Sequence, residues 1–511
     1  AASRFIGPYL TKHSSRFIKF ATGLGVVNKL PKKVKRAYFL PYQTRQRRQA
    51  IWDFVEDIPF DSTHPSYADM LDLAERIPQL SHIPVQIVWG LKDPCFHREM
   101  LSKVAEHFPQ ARILELPKAS HLLFEDGSEQ ACKAIESFLS KSEAEVQSSM
   151  KRELAGNKHG PANILYQKFL DCVQAYPDQH AVIMPRYFGD RISYAQWSYR
   201  DLNRLINKYQ RGLSKLGLKP GYKVLMLVSP GVEFVALSLA VMGRGAIPVY
   251  LDPGMGKEKL EECITQLQPD VFIGSPKAQL LRLVNKKIFS SVKVTIQASE
   301  WGIFGGTSLS FLKKFAAKPL PHVRSQGTVL VGYTSGATGT PKGVVYTNTM
   351  VAAQLEIFRK EFNLQPGGKD LPLLPLFSLF NVSLGVCSVF PPVNPAKPLA
   401  LDPSKITNIL IEQQITYSFG SPTLWKKIAE YCVRSRKKLS YLKKVFIAGA
   451  PVPAETLELV RSVLAEGEAY TPYGATEALP VSLISASQLR EAQPKPAESG
   501  EQGTLVGSSI P

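Results

Sequence analysis

The sequence is poor in cysteine and has no long uninterrupted apolar run. Its six cysteines are scattered over 511 residues without a Cys-x-x-Cys pair, and no His-Glu-x-x-His motif occurs. Disulfide frameworks and Cys- or His-ligated metal sites are therefore not expected, which favours a reducing compartment such as the cytoplasm. A bilayer-spanning helix needs about 20 consecutive apolar residues. The most apolar stretch, residues 234–251, is interrupted by Arg244 and Pro248, so no membrane span is expected.

Acidic residues are missing from the first 50 positions. These positions hold twelve Lys or Arg residues and no Asp or Glu, and the whole chain carries a formal net charge of +19. Such a field attracts nucleic acid or an anionic membrane surface. No zinc finger, RNA-recognition signature or basic zipper accompanies it, so nucleic acid is not an expected partner. A solvated cationic surface and a peripheral membrane contact remain the two interpretations.

A polar stretch divides the chain. Residues 142–161 are rich in Ser, Lys and Glu and carry no strand signal, which predicts a linker or a solvated connecting helix. The regions on either side, 1–141 and 162–511, fit two to four domains at roughly 100–200 residues each. Because the chain starts with Ala1 instead of Met, we expect a fragment of a longer protein.

Apolar runs of strand length alternate with segments of helical periodicity in both regions. In the first region, strands are predicted at 85–90 and 112–116, and helices at 98–107 and 128–139. In the second, helices at 231–242 and 257–267 accompany strands at 223–228, 247–251, 270–274, 292–296, 328–333, 444–449 and 468–474. Near-continuous apolar strands between helices are covered on both faces, which predicts a doubly wound α/β fold.

The strongest motif directly follows the strand at 328–333. Its glycines free the backbone to curl, and its hydroxyl groups and one ammonium group can face a polyphosphate. It is not a Walker A loop, because the lysine is preceded by proline and followed by glycine. The ten residues are Thr334, Ser335, Gly336, Ala337, Thr338, Gly339, Thr340, Pro341, Lys342 and Gly343.

A second motif, residues 473–477, follows the strand at 468–474. The ring of Tyr473 can stack on an adenine, and Thr476 and Glu477 can reach a phosphate and its Mg²⁺. Between the two motifs, residues 448–451 end a strand at a place where adenine could lie on the backbone.

Together these motifs resemble the adenylate-forming superfamily of acyl-CoA synthetases, luciferases and peptide-synthetase adenylation domains, over about residues 162–511. The resemblance implies that a carboxylate attacks the α-phosphate of ATP, giving an acyl-adenylate and pyrophosphate. It also implies that residues 334–343, with Lys342, hold the β- and γ-phosphates, that Thr476 holds the α-phosphate and that Glu477 binds Mg²⁺. The adenine would be held by Tyr473, Gly474, Gly449, Ala450 and Pro451.

Three finer segments, 250–256, 375–380 and 471–480, resemble bacterial olefin-biosynthesis β-lactone synthetases. In that family the hydroxyl group of an adenylated 3-hydroxy acid closes a β-lactone and expels AMP. The expected partners are a fatty 2-alkyl-3-hydroxy acid, ATP with Mg²⁺, and other enzymes of olefin biosynthesis. Two alternatives remain open: a fatty-acid–CoA ligase, and a non-catalytic binding or scaffold protein.

The first region carries an acid and a histidine after successive strands. Asp93 follows the strand at 85–90 and His121 follows the strand at 112–116, which is the order that closes an α/β-hydrolase triad. Residues 30–59 resemble the helical cap of haloalkane-dehalogenase-like hydrolases. Some olefin pathways fuse such a hydrolase, a β-lactone decarboxylase, to the synthetase. The expected fold is thus the C-terminal end of an α/β-hydrolase followed by the large domain of an adenylate-forming enzyme.

The sequence departs from both family patterns. Residues 1–150 contain five glycines and no Gly-x-Asp-x-Gly or Gly-x-Ser-x-Gly elbow, so the predicted hydrolase region is partial and lacks its nucleophile. The chain ends before the ribose-binding Asp, the hinge and the small domain with its catalytic Lys. Asn348 stands where the superfamily often has His. We therefore expect ATP contacts to be mostly present and turnover to be impaired.

Overall fold

The computed structural model describes residues 9–59, 61–64, 66–156, 162–188, 191–251, 253–321, 323, 327–334, 342–393, 400–475, 478–492 and 507–510. Contacts along the backbone divide the chain into two compact units, Ala1–Arg152 and Glu153–Pro511, and the division falls inside the predicted linker 142–161. Among the described residues, no helix combines the length and the apolarity needed to cross a bilayer.

The first unit contains two parallel strands and a set of helices. Strands β1 (Gln86–Gly90) and β2 (Arg112–Leu116) pair from Gln86 opposite Arg112 to Gly90 opposite Leu116, as predicted for neighbouring strands of a parallel sheet. The helices are α1 (Arg16–Leu24), α2 (Lys32–Phe39), α3 (Arg45–Glu56), α4 (Tyr67–Arg76), α5 (Arg98–His107) and α6 (Leu123–Gly156), with Gly127 non-helical inside α6.

The second unit contains the other sixteen strands of the described chain. They are β3 (His180–Phe188), β4 (Arg191–Ser198), β5 (Lys223–Leu227), β6 (Ile247–Leu251), β7 (Val271–Gly274), β8 (Val294–Gln297), β9 (Thr307–Ser308), β10 (Thr328–Thr334), β11 (Lys342–Thr347), β12 (Lys369–Asp370), β13 (Cys387–Val389), β14 (Tyr417–Gly420), β15 (Lys444–Ile447), β16 (Glu468–Ala475), β17 (Ala478–Ser485) and β18 (Ser508–Ser509).

Twelve described helices accompany these strands. They are α7 (Ile164–Ala175), α8 (Tyr199–Lys215), α9 (Val232–Gly243), α10 (Lys257–Leu267), α11 (Pro276–Val284), α12 (Leu309–Lys313), α13 (Asn348–Lys360), α14 (Phe377–Ser383), α15 (Pro403–Glu412), α16 (Pro422–Arg434), α17 (Ala454–Val463) and α18 (Ala486–Ala492).

The strands of the second unit form two sheets. A seven-stranded sheet has the order β11-β10-β6-β5-β7-β8-β9 and is parallel except for the β10–β11 hairpin. A nine-stranded sheet has the order β18-β17-β16-β15-β14-β12-β13-β3-β4 and is parallel from β16 to β3, with antiparallel pairs at both ends. The alternation of apolar strands and helices along the sequence predicts this parallel pairing.

The strands are apolar on both faces because both sheets are covered on both sides. On β5, Val224 and Met226 enter a central core while Leu225 packs in a separate cluster on the opposite face. The central core also takes in Val182 of β3, so it contains residues of both sheets. Helix α9, which contacts both β6 and β3, is buried along almost its whole length and is apolar all round, as a helix between two sheets must be.

Candidate functional site

The two segments predicted to hold adenine leave the same sheet edge. Strands β15 and β16 are parallel neighbours, paired from Lys444 opposite Glu468 to Phe446 opposite Tyr470. Residues 449–451 follow the carboxyl end of β15, and Tyr473 lies near the carboxyl end of β16. Ligands of open α/β sheets bind at this edge. The structure therefore brings together two segments that are separated by about 20 residues in sequence.

The edge at residues 449–451 is open. Gly449 has a φ of +93°, and a Cβ atom built there would meet no atom within 4 Å. Ala450 and Pro451 are exposed, and the Tyr473 side chain is 56% exposed. Exposed backbone groups can form hydrogen bonds with the polar rim of a nucleotide base, and an exposed aromatic ring can stack on its flat face.

Gly474 has a packing role in the β16–β17 hairpin. A Cβ atom at this position would lie 2.4 Å from the carbonyl oxygen of Ala478, so no larger residue fits without a shift of the backbone. Ala475 pairs with Ala478 across the turn. Thr476 and Glu477, predicted to hold the α-phosphate and Mg²⁺, stand between Ala475 and Ala478 in the sequence and lie outside the described residues.

The predicted phosphate loop connects two adjacent strands of the seven-stranded sheet. Strand β10 ends at Thr334, β11 begins at Lys342, and these two residues are paired across the hairpin. The loop residues Ser335, Gly336, Ala337, Thr338 and Gly339 lie outside the described residues. Since β10 is parallel to its neighbour β6, the loop leaves from the carboxyl edge of the parallel strands, where a phosphate-binding loop is expected.

A hydrogen bond connects the elements that carry the two motifs. Helix α13 directly follows β11, and its Gln354 donates from Nε2 to the carbonyl oxygen of Leu479 on β17, at 3.0 Å. The central core includes Leu355 of α13 and Phe446 of β15. Helix α13 thus connects the β10–β11 hairpin with the β16–β17 hairpin.

In the first unit, the side chains of Asp93 and His121 are in contact. Nδ1 of His121 lies 2.9 Å from Oδ2 of Asp93. The other oxygen of Asp93 accepts hydrogen bonds from the backbone N–H groups of Cys95 at 2.7 Å and Phe96 at 3.1 Å. The Asp93 side chain is 9% exposed and that of His121 is 41% exposed. A fixed carboxylate that orients a solvent-facing imidazole is the arrangement of an acid–histidine dyad.

Three further residues, which the sequence does not predict as part of the site, support this dyad. The Phe96 ring stacks on the His121 ring, with centroids 5.4 Å apart, and Trp89 donates from Nε1 to the Phe96 carbonyl oxygen at 2.9 Å. The carboxylate of Asp126 accepts backbone N–H groups of Val27, Asn28 and Ser120. The only sequence signal for Asp126 is an acid in the first turn of the helix that follows His121.

Comparison with known proteins identifies the family of each unit. The sequence profile of AMP-binding enzymes matches residues 169–509, well over half of the chain. The chain belongs to the AMP-binding enzyme family. Ahead of this AMP-binding region, the profile of the alpha/beta hydrolase fold matches residues 4–128, which include Asp93 and His121. An α/β-hydrolase region therefore precedes the AMP-binding domain, as the sequence analysis predicts.

Two relatives match the two regions of this AMP-binding family member. It is 33% identical over 358 residues to the olefin beta-lactone synthetase of Stenotrophomonas maltophilia, a match that covers 68% of this chain and 63% of that protein. It is 31% identical over 134 residues to the cis-3-alkyl-4-alkyloxetan-2-one decarboxylase of Xanthomonas campestris pv. campestris, covering 26% of this chain and 45% of that protein. The chain thus spans less than two thirds of either relative.

A solved structure supports the fold of the AMP-binding region. A long-chain fatty-acid–CoA ligase from Archaeoglobus fulgidus aligns with 64% of this chain and 67% of its own, with a TM-score of 0.54 and 18% identity. At this identity the likeness shows the fold alone.

Proposed function

We propose that the AMP-binding region activates the carboxylate of a fatty 2-alkyl-3-hydroxy acid with ATP and Mg²⁺, and that the acyl-adenylate closes to a β-lactone. One observation carries the proposal. The two regions of this single chain are similar to a protein named for β-lactone synthesis and to a protein named for decarboxylation of an oxetan-2-one, which is a β-lactone. A chain that contains regions similar to both proteins fits two consecutive steps, the formation of a β-lactone and its decarboxylation.

The open edge at residues 449–451 supports a bound nucleotide. Gly449 leaves free space where a side chain would otherwise stand, and the exposed ring of Tyr473 leaves the same sheet edge, which suits an adenine. In the proposal, the loop of residues 334–343 with Lys342 holds the β- and γ-phosphates and Thr476 holds the α-phosphate. Glu477 would bind Mg²⁺, which neutralises charge on the polyphosphate when bound.

The proposed reaction needs no protein nucleophile. A carboxylate oxygen forms a bond to the α-phosphorus, and the bond to pyrophosphate breaks. The 3-hydroxyl oxygen of the same molecule then bonds to the acyl carbon, loses its proton, and AMP leaves with the former carboxylate oxygen. The chain contributes by holding the reactants in line and by placing cationic and N–H groups against the charge on phosphorus.

The hydrolase region is proposed to be related to β-lactone decarboxylation through its acid–histidine dyad. Asp93 holds Nδ1 of His121, which leaves Nε2 available to take or give a proton. The Asp93–His121 dyad can thus orient a bound molecule and transfer a proton.

Product analysis separates the proposal from its alternatives. The chain is incubated with ATP, Mg²⁺ and a 2-alkyl-3-hydroxy acid, with and without CoA, and the products are identified by mass spectrometry. A β-lactone and AMP formed without CoA would support the synthetase. An acyl-adenylate that is consumed only when CoA is added would identify a fatty-acid–CoA ligase. If no adenylate forms with or without CoA, the result would favour a non-catalytic binding protein.

Two lysine variants serve as a matched pair in this assay. Lys342→Ala removes the ammonium group proposed to contact the phosphates, and we expect adenylate formation to fall by about a hundredfold or more. Lys360→Ala removes an exposed lysine of α13 that pairs with Glu356 on the same helix. Adenylate formation should be unchanged in this second variant.

The proposal also includes a cytoplasmic location and contacts with other enzymes of olefin biosynthesis. All six cysteines are free thiols in the structure, and four of them are buried, which agrees with a reducing compartment. The cationic segment of residues 1–50 is proposed to contact an anionic membrane surface. Binding to anionic vesicles that weakens as salt is added would support this contact, and no binding at low salt would contradict it.

A further inference from the structure

A second surface, remote in sequence from the basic N-terminal segment, combines exposed apolar side chains with positive charge. We call it the α11 surface and define it by Leu280, Leu283 and Val284 of α11 and by Trp301 and Ile303 of the loop after β8. Trp301 is 76% exposed, Ile303 75% and Val284 71%. A surface helix normally turns its polar residues to water. In α11, Leu280, Leu283 and Val284 are exposed to water.

The loop that carries Trp301 and Ile303 is held by buried hydrogen bonds. Gln297 at the end of β8 is fully buried; its Oε1 accepts the backbone N–H of Phe304 at 3.0 Å, and its Nε2 donates to the carbonyl oxygen of Trp301. Arg282 of α11 donates to the carbonyl oxygen of Phe304 at 3.3 Å, which joins the loop to the helix. The outward position of the two apolar side chains is therefore built into the fold.

The sequence segment that contains this surface has a strong excess of positive charge. Residues 275–321 contain eight Lys or Arg residues and a single acid, Glu300, which pairs with Lys313. Lys277, Lys286 and Lys287 are exposed on α11 and on the turn that follows it. Trp, Leu and Ile flanked by lysines are the composition of elements that lie in the headgroup region of anionic bilayers.

The charge also decides against a second copy of the chain as the occupant. A symmetric dimer through the α11 surface would bring the same cationic segment against itself, and like charges across an interface are unfavourable. An anionic surface with an apolar interior complements both features at once.

We propose that the α11 surface docks the chain on an anionic lipid bilayer. Trp301 and Ile303 enter the boundary between headgroups and acyl chains, and Lys277, Lys286 and Lys287 lie against the headgroups. The contact is peripheral, because α11 has only nine residues, far fewer than a bilayer-spanning helix needs.

Vesicle sedimentation of the full chain tests the proposal. The probes are vesicles of phosphatidylcholine alone and of phosphatidylcholine with phosphatidylglycerol. We expect the wild-type chain to bind the anionic vesicles. The double variant Trp301→Ala with Ile303→Ala should lower the partition coefficient by at least about tenfold, since it removes the inserted apolar area. The triple change of Lys277, Lys286 and Lys287 to Gln should also lower it by about tenfold or more.

Val433→Ala is the matched control, because Val433 is an exposed apolar residue of α16 outside the α11 surface. It should bind as the wild type does. Quenching of tryptophan fluorescence by lipids brominated on the acyl chains gives a direct readout, and the quenched component should disappear in Trp301→Phe. Circular dichroism of each variant should match the wild type, since the substituted side chains are exposed.

Three results would overturn the proposal. The first is equal binding of wild type and the double variant, which would place the contact elsewhere, for example at residues 1–50. The second is no binding of the wild type to either kind of vesicle. The third is self-association of the wild type that the double variant abolishes while lipid binding stays the same, which would identify a second copy as the occupant.

Discussion

At the scale of single residues, Asp370 is a carboxyl group buried in the middle of the nine-stranded sheet. It accepts a hydrogen bond from Nδ2 of Asn381 at 2.6 Å, and Asn381 also reaches Ser388 at 3.2 Å. Burial raises the pKa of Asp370 to about 7, although the Asn381 and Phe419 hydrogen bonds act in the opposite direction. In the sequence, Asp370 is only an acidic residue next to an apolar run. Nothing in the sequence indicates its hydrogen bond with Asn381 or the hydrogen bond of Asn381 with Ser388.

The raised pKa predicts a pH dependence of stability. Between the ordinary pKa of 3.8 and about 7, the folded state keeps the Asp370 proton while the unfolded state loses it. The free energy of unfolding should therefore fall as pH rises through this window, by up to about 4 kcal/mol, and level off above it.

Asp370→Asn tests this dependence, since the Asn381 amide can flip to donate or accept as required. The variant should lose the slope and be more stable than the wild type at pH 8, measured by urea unfolding across the pH range. An unchanged slope in the variant would show that Asp370 does not cause it.

Tyr473, an exposed residue near the carboxyl end of β16, is proposed to stack on adenine. Removing an aromatic stacking partner costs about 1 kcal/mol, so Tyr473→Ala should weaken ATP binding about fivefold in calorimetric titration. Tyr441→Ala, which removes another exposed tyrosine of the same unit, provides the control and should bind ATP as the wild type does. Equal affinity of all three proteins would remove Tyr473 from the nucleotide site.

Sequence motifs predict where site residues lie along the chain better than they predict what surrounds them. Asp93 and His121 follow adjacent parallel strands, which brings both to one sheet edge, where the structure pairs them; their catalytic role stays a prediction. Gly474 shows a packing role against Ala478 that the motif does not reveal, and its place in the adenine site stays a prediction. Phe96 and Asp126 were missed because stacking and backbone capping by side chains leave no spacing rule in the sequence.

At the scale of elements, helix α8 has a complete N-terminal capping box. The Ser198 hydroxyl accepts the N–H of Asp201 at 3.1 Å, and the Asp201 carboxylate accepts the N–H of Ser198 at 3.3 Å. Ser198→Ala should lower the free energy of unfolding by about 1 kcal/mol. Ser421 occupies the corresponding position of α16 without a side-chain cap bond, so Ser421→Ala should cost clearly less. Equal losses would contradict the capping role.

The central parallel strands could be predicted from the sequence, and the short and edge strands could not. Predicted strands at 223–228, 247–251 and 444–449 correspond to β5, β6 and β15, since fully buried strands read as continuous apolar runs. The β3–β4 hairpin was missed because β4 is mostly half-buried. Strand β12 has two residues, too few for any periodicity.

At the scale of the whole molecule, the two units differ in the size of their cores. The larger unit has three extensive clusters of buried apolar residues, whereas the described part of the first unit has one that is built on Leu116, Ala119 and Ala131. Since stability follows buried apolar area, we expect two calorimetric transitions, the lower one from the first unit. ATP with Mg²⁺ should raise only the upper transition, and a single transition that shifts as a whole would contradict this.

In the proposed reaction, the carboxylate of the hydroxy acid is the group that attacks ATP. Isotope transfer tests it most directly: a 2-alkyl-3-hydroxy acid with both carboxylate oxygens replaced by oxygen-18 is incubated with the chain, ATP and Mg²⁺, and the products are weighed by mass spectrometry. Carboxylate adenylation and closure predict one heavy oxygen in AMP and one in the β-lactone. Unlabelled AMP with both heavy oxygens in the lactone would show that the hydroxyl group had been activated instead, and would contradict adenylation of the carboxylate.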